Sequence, residues 1–179
     1  MLSALKTANF FIYLMPEDEN ELTNLKINKL LFYAQGHFLK RFSKPLFGDE
    51  IQAWQYGPVV PTVYHHFKGY GKNVLNSLPK DFSLSDYSDD EKELLVDVAR
   101  EYGQYTGEAL KTKTHEEGTP WSNVYDPNVR NITIGIDSIE EYFSLQPDIK
   151  LKDFNIPDDA IIGYHDEDGI LTLPGAYDY

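Results

Sequence analysis

The segment from Leu25 to Gly71, LKINKLLFYAQGHFLKRFSKPLFGDEIQAWQYGPVVPTVYHHFKGYG, constrains this chain more than any other stretch. Ile27, Leu30, Leu31, Ala34, Phe38 and Phe42 recur at spacings of three and four. That period places side chains on one face of an α-helix. Thr23 or Asn24 offers a side-chain oxygen to cap the helix, and Ser43-Lys44-Pro45 breaks it. Lys26, Asn28, Lys29, Lys40 and Arg41 fall mostly off the stripe, the pattern of a helix with one buried face. Gly48-Asp49 then signals a turn. Residues Glu50 to Tyr56 alternate polar and apolar, as one short strand does, and Gly57-Pro58 is expected to stop it. Pro61 suits the first position of a following helix, where its missing N–H costs nothing. Val63, Tyr64 and Phe67 form that helix's inner face, and Gly69 and Gly71 end it.

The rest of the chain reads as further helices. Ser3 caps a first helix that Pro16 closes. Ser88-Asp89-Asp90-Glu91 is a capping box in front of a helix that buries Leu94, Leu95, Val98 and Tyr102. Thr106 caps a helix over Gly107–Thr114. Thr119-Pro120-Trp121 combines a cap, a first-turn proline and an apolar anchor, and Asp137 or Ser138 opens a last helix that runs through Leu145. The expected fold is therefore mainly α, a compact helical domain with a small β element, a short strand or hairpin around residues 50–56. Residues 1–146 form this domain, and 147–179 form an acidic C-terminal extension that docks on the body or on a partner. In the extension, eight acidic side chains face only Lys150 and Lys152. Ile170-Leu171-Thr172-Leu173 is able to pair as a strand across the Asp168-Gly169 turn. An extended docking arm and a ragged surface tail fit this composition equally well.

Charge and composition narrow the function classes. A formal charge of −13 disfavours nucleic acid as a partner, because phosphate binding needs a basic face. It favours a basic protein partner instead. No apolar run is long enough to span a bilayer, so no membrane association is expected. The run Ala8–Met15 is too short and too polar at its flanks for a signal peptide, and it reads better as an amphipathic helix. The chain has no cysteine, which removes disulfides, thiolate chemistry and Cys-bearing zinc sites and fits a cytoplasmic location.

No pattern of reactive side chains stands out. His65 and His66 are adjacent on a helix and point about 100° apart, so they are poorly placed to share an ion. No two histidines are four apart, no Gly-x-Ser-x-Gly elbow occurs, and no glycine-rich loop precedes a helix. No catalytic residue, cofactor or metal is expected. Aromatic residues are abundant: Phe32, Tyr33, Phe38, Phe47, Trp54, Tyr56, Tyr64, Phe67 and Tyr70 all lie in the opening segment. Most must fill the core. Trp54, Tyr56 and Tyr64 sit on the strand and the corner after it and are the better candidates for touching a partner. Gly57 and Pro58 give that corner its stiffness, because Gly57 accepts a positive φ and each proline fixes its own φ and restricts the residue before it. A purely structural role for the corner is equally consistent with these residues.

Several pieces of this segment resemble one family. They are Lys29-Leu30-Leu31-Phe32-Tyr33-Ala34-Gln35-Gly36, then Lys44-Pro45-Leu46-Phe47, then Ile51 to Tyr64, followed by Thr114-His115 and Thr119-Pro120-Trp121. Over about residues 25–145 the chain resembles the Panacea antitoxin domain family, also described as SocA-like or as a phage-associated GepA-like domain. The resemblance implies a mainly helical domain with a small β element and no established catalytic residues. It implies a bacterial or prophage antitoxin, encoded beside a toxin and neutralising it by direct protein contact. The alternative is a proteolysis adaptor that delivers the toxin to an ATP-dependent protease. Expected partner contacts are Trp54, Tyr56, Gly57, Pro58 and Tyr64, together with Asp166, Glu167 and Asp168 of the acidic extension. That extension lies beyond the shared motifs, where it would adapt the chain to its own toxin by reaching a basic mouth.

Overall fold

The computed structural model describes residues 1–15 and 22–149, together with the backbone pairing of Tyr164–His165 and Leu171–Thr172. Among the described residues there are six α-helices: α1 (Ala4–Leu14), α2 (Asn24–Phe42), α3 (Pro61–Phe67), α4 (Asp89–Tyr102), α5 (Gly107–Thr114) and α6 (Ile136–Ser144). Strands β1 (Gln52–Trp54), β2 (Gly57–Val59) and β3 (Ile132–Thr133) form an antiparallel sheet in the order β2-β1-β3. The fold is mainly α with a small β element, as expected. No helix among the described residues is long and apolar enough to cross a membrane. Strands β4 (Tyr164–His165) and β5 (Leu171–Thr172) pair antiparallel with each other.

The helix starts follow their caps. The side chains of Ser3, Thr23 and Thr106 accept from the backbone N–H three residues on, at 3.2, 3.3 and 3.2 Å. Ser88 and Glu91 complete a reciprocal capping box at 3.3 and 2.8 Å. Helix α6 departs from this pattern. It starts at Ile136 with Gly135 as cap residue, and Ser138 Oγ donates backwards to the Gly135 carbonyl at 2.7 Å. Thr119-Pro120-Trp121 opens a run of turns and no helix, although Thr119 Oγ1 does accept from Ser122 N at 3.1 Å.

Helix α2 is the axis of the domain. It packs against α1, α3, α4, α5, α6 and β2, so its neighbours surround it. Fifteen of its 19 residues are buried. This corrects the expectation of a single buried stripe: Lys26, Asn28 and Lys29 are as deeply buried as the leucines. Burial of polar groups is tolerated only when they find partners, and here the partners are mostly backbone groups of the surrounding loops. Gln35 donates from Nε2 to the Phe47 carbonyl at 3.0 Å and accepts from Leu46 N and Phe47 N at 3.0 and 3.2 Å. Lys26 Nζ donates to the Gly103 carbonyl at 2.7 Å. Arg41, near the far end, pairs with buried Asp97 of α4 at 2.8 Å.

The expected short strand or hairpin around 50–56 is a hairpin, while the stop expected at Gly57-Pro58 is instead the start of its second strand. The chain turns over Gln55-Tyr56 and returns as β2, with Gln52, Ala53 and Trp54 opposite Val59, Pro58 and Gly57. Gly57, at φ 99, makes the return. Pro58 fits inside the second strand because β2 is an edge and needs no outward N–H. Strand β3 was not legible in the sequence, since two residues carry no periodicity.

Gly36 of α2 has no room for a side chain. A Cβ there would lie 2.1–2.5 Å from the ring of Phe143, which is fully buried in α6. Gly36→Ala should therefore lower stability by about 1–3 kcal/mol, although alanine is intrinsically the better helix former by about 1 kcal/mol. Urea unfolding measures this, and an unchanged or higher midpoint would contradict the packing described.

Candidate functional site

The hairpin β1–β2 projects a two-residue tip, and its backbone is tied down by side chains from distant segments. Trp121 Nε1 donates to the Trp54 carbonyl at 2.8 Å. His115 Nε2 lies 3.2 Å from the Gln55 carbonyl, while its Nδ1 lies 2.6 Å from the Lys111 carbonyl. Lys29 Nζ donates to the Pro58 carbonyl at 2.8 Å. Asn28 Oδ1 accepts from Val60 N at 2.9 Å. The polar groups of residues 54, 55, 58 and 60 are thus held from α2 and from the segment after α5. The His115 and Trp121 ring centres lie 3.7 Å apart, and Trp121 stacks on Tyr125 at 4.4 Å, which fixes these side chains themselves.

The clamp leaves the aromatic side chains of the tip facing outward. Tyr56 is 57% exposed, with Lys111 Nζ 5.3 Å from its ring centre. Trp54 is half-buried, donates from Nε1 to Gln52 Oε1 at 3.0 Å and meets Tyr64 of α3 edge-on at 4.9 Å. Asn24 at the start of α2 donates to the Tyr64 carbonyl at 3.0 Å, tying α3 to the same end of the helix. Trp54, Tyr56 and Tyr64 border one groove of about 850 Å³, shared with Leu25, Lys68 and Lys72. The structure therefore brings together three of the aromatic residues expected to touch a partner. Gly57 and Pro58 lie beneath them, buried. Asp166, Glu167 and Asp168 lie outside the described residues.

Lys29 sets the electrostatics of the site. Its side chain is fully buried, and burial lowers its pKa to about 7, with nearby Lys111 acting in the same direction and Glu108 opposing. Glu108 is itself held below the ordinary carboxylate range, first by its hydrogen bond from Lys111. The packing around the amine is tight: a Cβ on Gly57 would stand 2.7 Å from Lys29 Cε and 2.8 Å from Thr114 Oγ1. The sequence pattern placed Lys29 off the apolar stripe and gave no sign of this role. His115 and Trp121 were visible only as a shared motif, because their partners lie 60 and 67 residues away. Among the described residues no cluster of His, Asp and Glu is arranged to hold a metal.

The Lys29 shift makes a sign-definite prediction. The amine titrates near 10.5 when unfolded and near 7 when folded, so between those values the unfolded chain binds the extra proton. Stability should therefore rise with pH between 7 and 9, by up to about 1.4 kcal/mol per pH unit. His37, lowered by burial to about 4, adds a slope of the same sign that fades above its ordinary value of 6.5 and is nearly gone by about pH 7.5, so it acts alike in the native chain and in Lys29→Met. The buried tyrosines, raised above 10, act only at higher pH. Urea unfolding at pH 7, 8 and 9 should show this slope in the native chain and its loss in Lys29→Met. Equal slopes in the two proteins would remove the assignment.

Comparison with known proteins places this architecture. The family model for the antitoxin SocA-like Panacea domain matches residues 27–122, a span that contains the hairpin and all four clamping side chains. Antitoxin SocA of Caulobacter vibrioides (strain NA1000 / CB15N) is 30% identical over 124 residues, covering 64% of this chain and 66% of the relative. The chain thus spans slightly under two thirds of that relative's length. No solved structure matches the chain. With more than half of its length under the family model, and with the matched span coinciding with the clamped hairpin, the chain belongs to the SocA-like Panacea antitoxin domain family.

Proposed function

We propose that this chain is an antitoxin that neutralises a cognate toxin in the cytoplasm by direct protein–protein contact, with the body of residues 1–146 as the binding module. Membership of the family and likeness to an antitoxin support the general role. One observation carries the direct-contact reading: Tyr56 is 57% exposed on a hairpin tip whose backbone is fixed on both sides. Large rings on rigid backbone lose little entropy on binding and often dominate the energy of interfaces. Trp54 and Tyr64 extend the same surface into the groove.

The test is co-expression and co-purification with the toxic product of the neighbouring reading frame. Tyr56→Ala should weaken toxin binding about tenfold or more, a loss above about 1.4 kcal/mol. Its urea midpoint should stay within about 0.5 kcal/mol of the native value, since Tyr56 has little buried contact to lose. Neutralisation should persist in cells lacking ATP-dependent proteases. Its disappearance there would turn the reading to an adaptor that delivers the toxin for degradation. Undiminished binding by Tyr56→Ala would move the interface away from the hairpin tip.

A further inference from the structure

The groove beside the hairpin is basic, on a protein whose formal charge is −13. Lys68 and Lys72 stand exposed at its rim, and among the described residues neither is in an ion pair. Most other well-placed cations are neutralised. Lys6 pairs with Asp86, Lys40 with Asp148, Arg41 with Asp97, Lys92 with Asp89 and Lys111 with Glu108. The only carboxylate lining the groove among the described residues is Glu108, already engaged at 2.6 Å. Thr23, Asn24 and Leu25, at the N-terminus of the 19-residue α2, form part of the wall and add the positive end of a long helix dipole. Trp54, Tyr56, Val59, Tyr64 and Leu25 supply apolar surface beside this charge. The groove therefore suits a short segment that is both acidic and apolar.

The chain carries such a segment. β4 and β5 pair with His165 opposite Leu171, so the connection between them is Asp166-Glu167-Asp168-Gly169-Ile170. Its sequence holds three consecutive carboxylates, then a glycine and an isoleucine. We propose that this acidic connection docks in the groove of its own chain, with its carboxylates on Lys68 and Lys72. The reach is sufficient. Asp148 is held at Lys40, 16 residues along α2 from Asn24, a separation of roughly 24 Å along the axis. Seventeen residues lie between Asp148 and Asp166, whereas about eight extended residues span that distance. Tethering gives the segment an effective concentration on the order of millimolar, so weak contacts suffice. Exposed ion pairs contribute little singly, and the neighbouring apolar wall provides the remainder. The groove shares Trp54, Tyr56 and Tyr64 with the proposed toxin surface, so this docking belongs to the toxin-free protein, and its test reads coupling within the chain and no toxin binding.

Zero-length carbodiimide coupling of the full-length protein at low micromolar concentration, with mass-spectrometric mapping, tests the docking. The expected product is an intramolecular amide from Lys68 or Lys72 to Asp166, Glu167 or Asp168 in the monomer fraction. It should exceed coupling of the same carboxylates to Lys44 or Lys80 and fall about fivefold or more in 0.5 M salt. Lys68→Glu with Lys72→Glu should abolish it. Adding Asp166→Lys, Glu167→Lys and Asp168→Lys should restore coupling with the polarity reversed, which a merely destabilised double variant would not do. Coupling spread evenly over all exposed lysines would overturn the proposal. So would links confined to dimers of differently isotope-labelled copies, which would make a second copy the occupant.

Discussion

The bond from Lys29 Nζ to the Pro58 carbonyl is the constraint on which the arrangement around it depends. A lysine enclosed by protein loses its hydration, and that cost is usually met by a carboxylate partner. Among the described residues no carboxylate forms an ion pair with the amine. Instead the pKa falls until the neutral form, which still donates one hydrogen bond, is accessible near neutral pH. The bond satisfies a carbonyl in an edge strand that has no further strand beside it. Without it, that buried carbonyl would cost about 1–3 kcal/mol. The same logic runs along α2, where Asn24, Lys26, Asn28 and Gln35 each serve a backbone group of a neighbouring segment. The helix acts as a spine of side-chain donors and acceptors that fixes loops, and this explains why it is buried on all sides.

This spine is what gives a two-residue turn a defined shape. A hairpin of three-residue strands has too few ladder bonds to hold itself, and isolated hairpins are marginal in water. The tip at Gln55-Tyr56 is held because residues on both sides of it are bonded to groups outside the hairpin. Gly57 is required twice at this point. Its φ of 99 is disfavoured for other residues, and its missing side chain is the space that Lys29 and Thr114 occupy. Rigidity and exposure thus have one origin. Because the clamp takes up the backbone polar groups and the inner aromatics form the core, Tyr56 stays 57% exposed among the described residues, with only the Lys111 amine near its ring.

How far the sequence could be read follows from the range of each interaction. Ser3, Thr23, Ser88 with Glu91, and Thr106 were legible as caps because the bond partner lies three residues away. Pro61 and Gly57 were legible because their backbone limits are intrinsic. The burial of Lys26, Asn28 and Lys29 was not, because helical periodicity records only which residues are apolar and not whether a polar one has found a partner. The return strand β2 was hidden by its proline, whose tolerance depends on being at an edge, a property of the assembled sheet. His115 and Trp121 stood out as residue types in a shared motif, but Trp121's bond to the Trp54 carbonyl and His115's contact with the Gln55 carbonyl exist only after folding brings residues 54 and 55 to them. The grouping of Trp54, Tyr56 and Tyr64 was anticipated on the reasoning that rings on a stiff corner stay available. The lysine rim beside them was not, because Lys68 and Lys72 lie beyond α3 and reach the groove through its packing on α2.

The clamp and the groove also share their electrostatics. Lys29 lies roughly one and a half turns into α2, whose first turn contains no acidic residue to offset the positive helix end. Burial and then Lys111 oppose its charged form, and Glu108 favours it. An anion placed at the groove's lysine rim adds a second favourable term, since it lies against the same helix end. By linkage, whatever favours the protonated amine must in turn be bound more tightly when the amine is protonated. Hydrogen bonds from a charged donor are stronger than those from a neutral one, so the bond to Pro58 itself favours the protonated amine. The basic groove and the rigid hairpin thus meet at one buried amine, which lines the first and bonds the Pro58 carbonyl of the second.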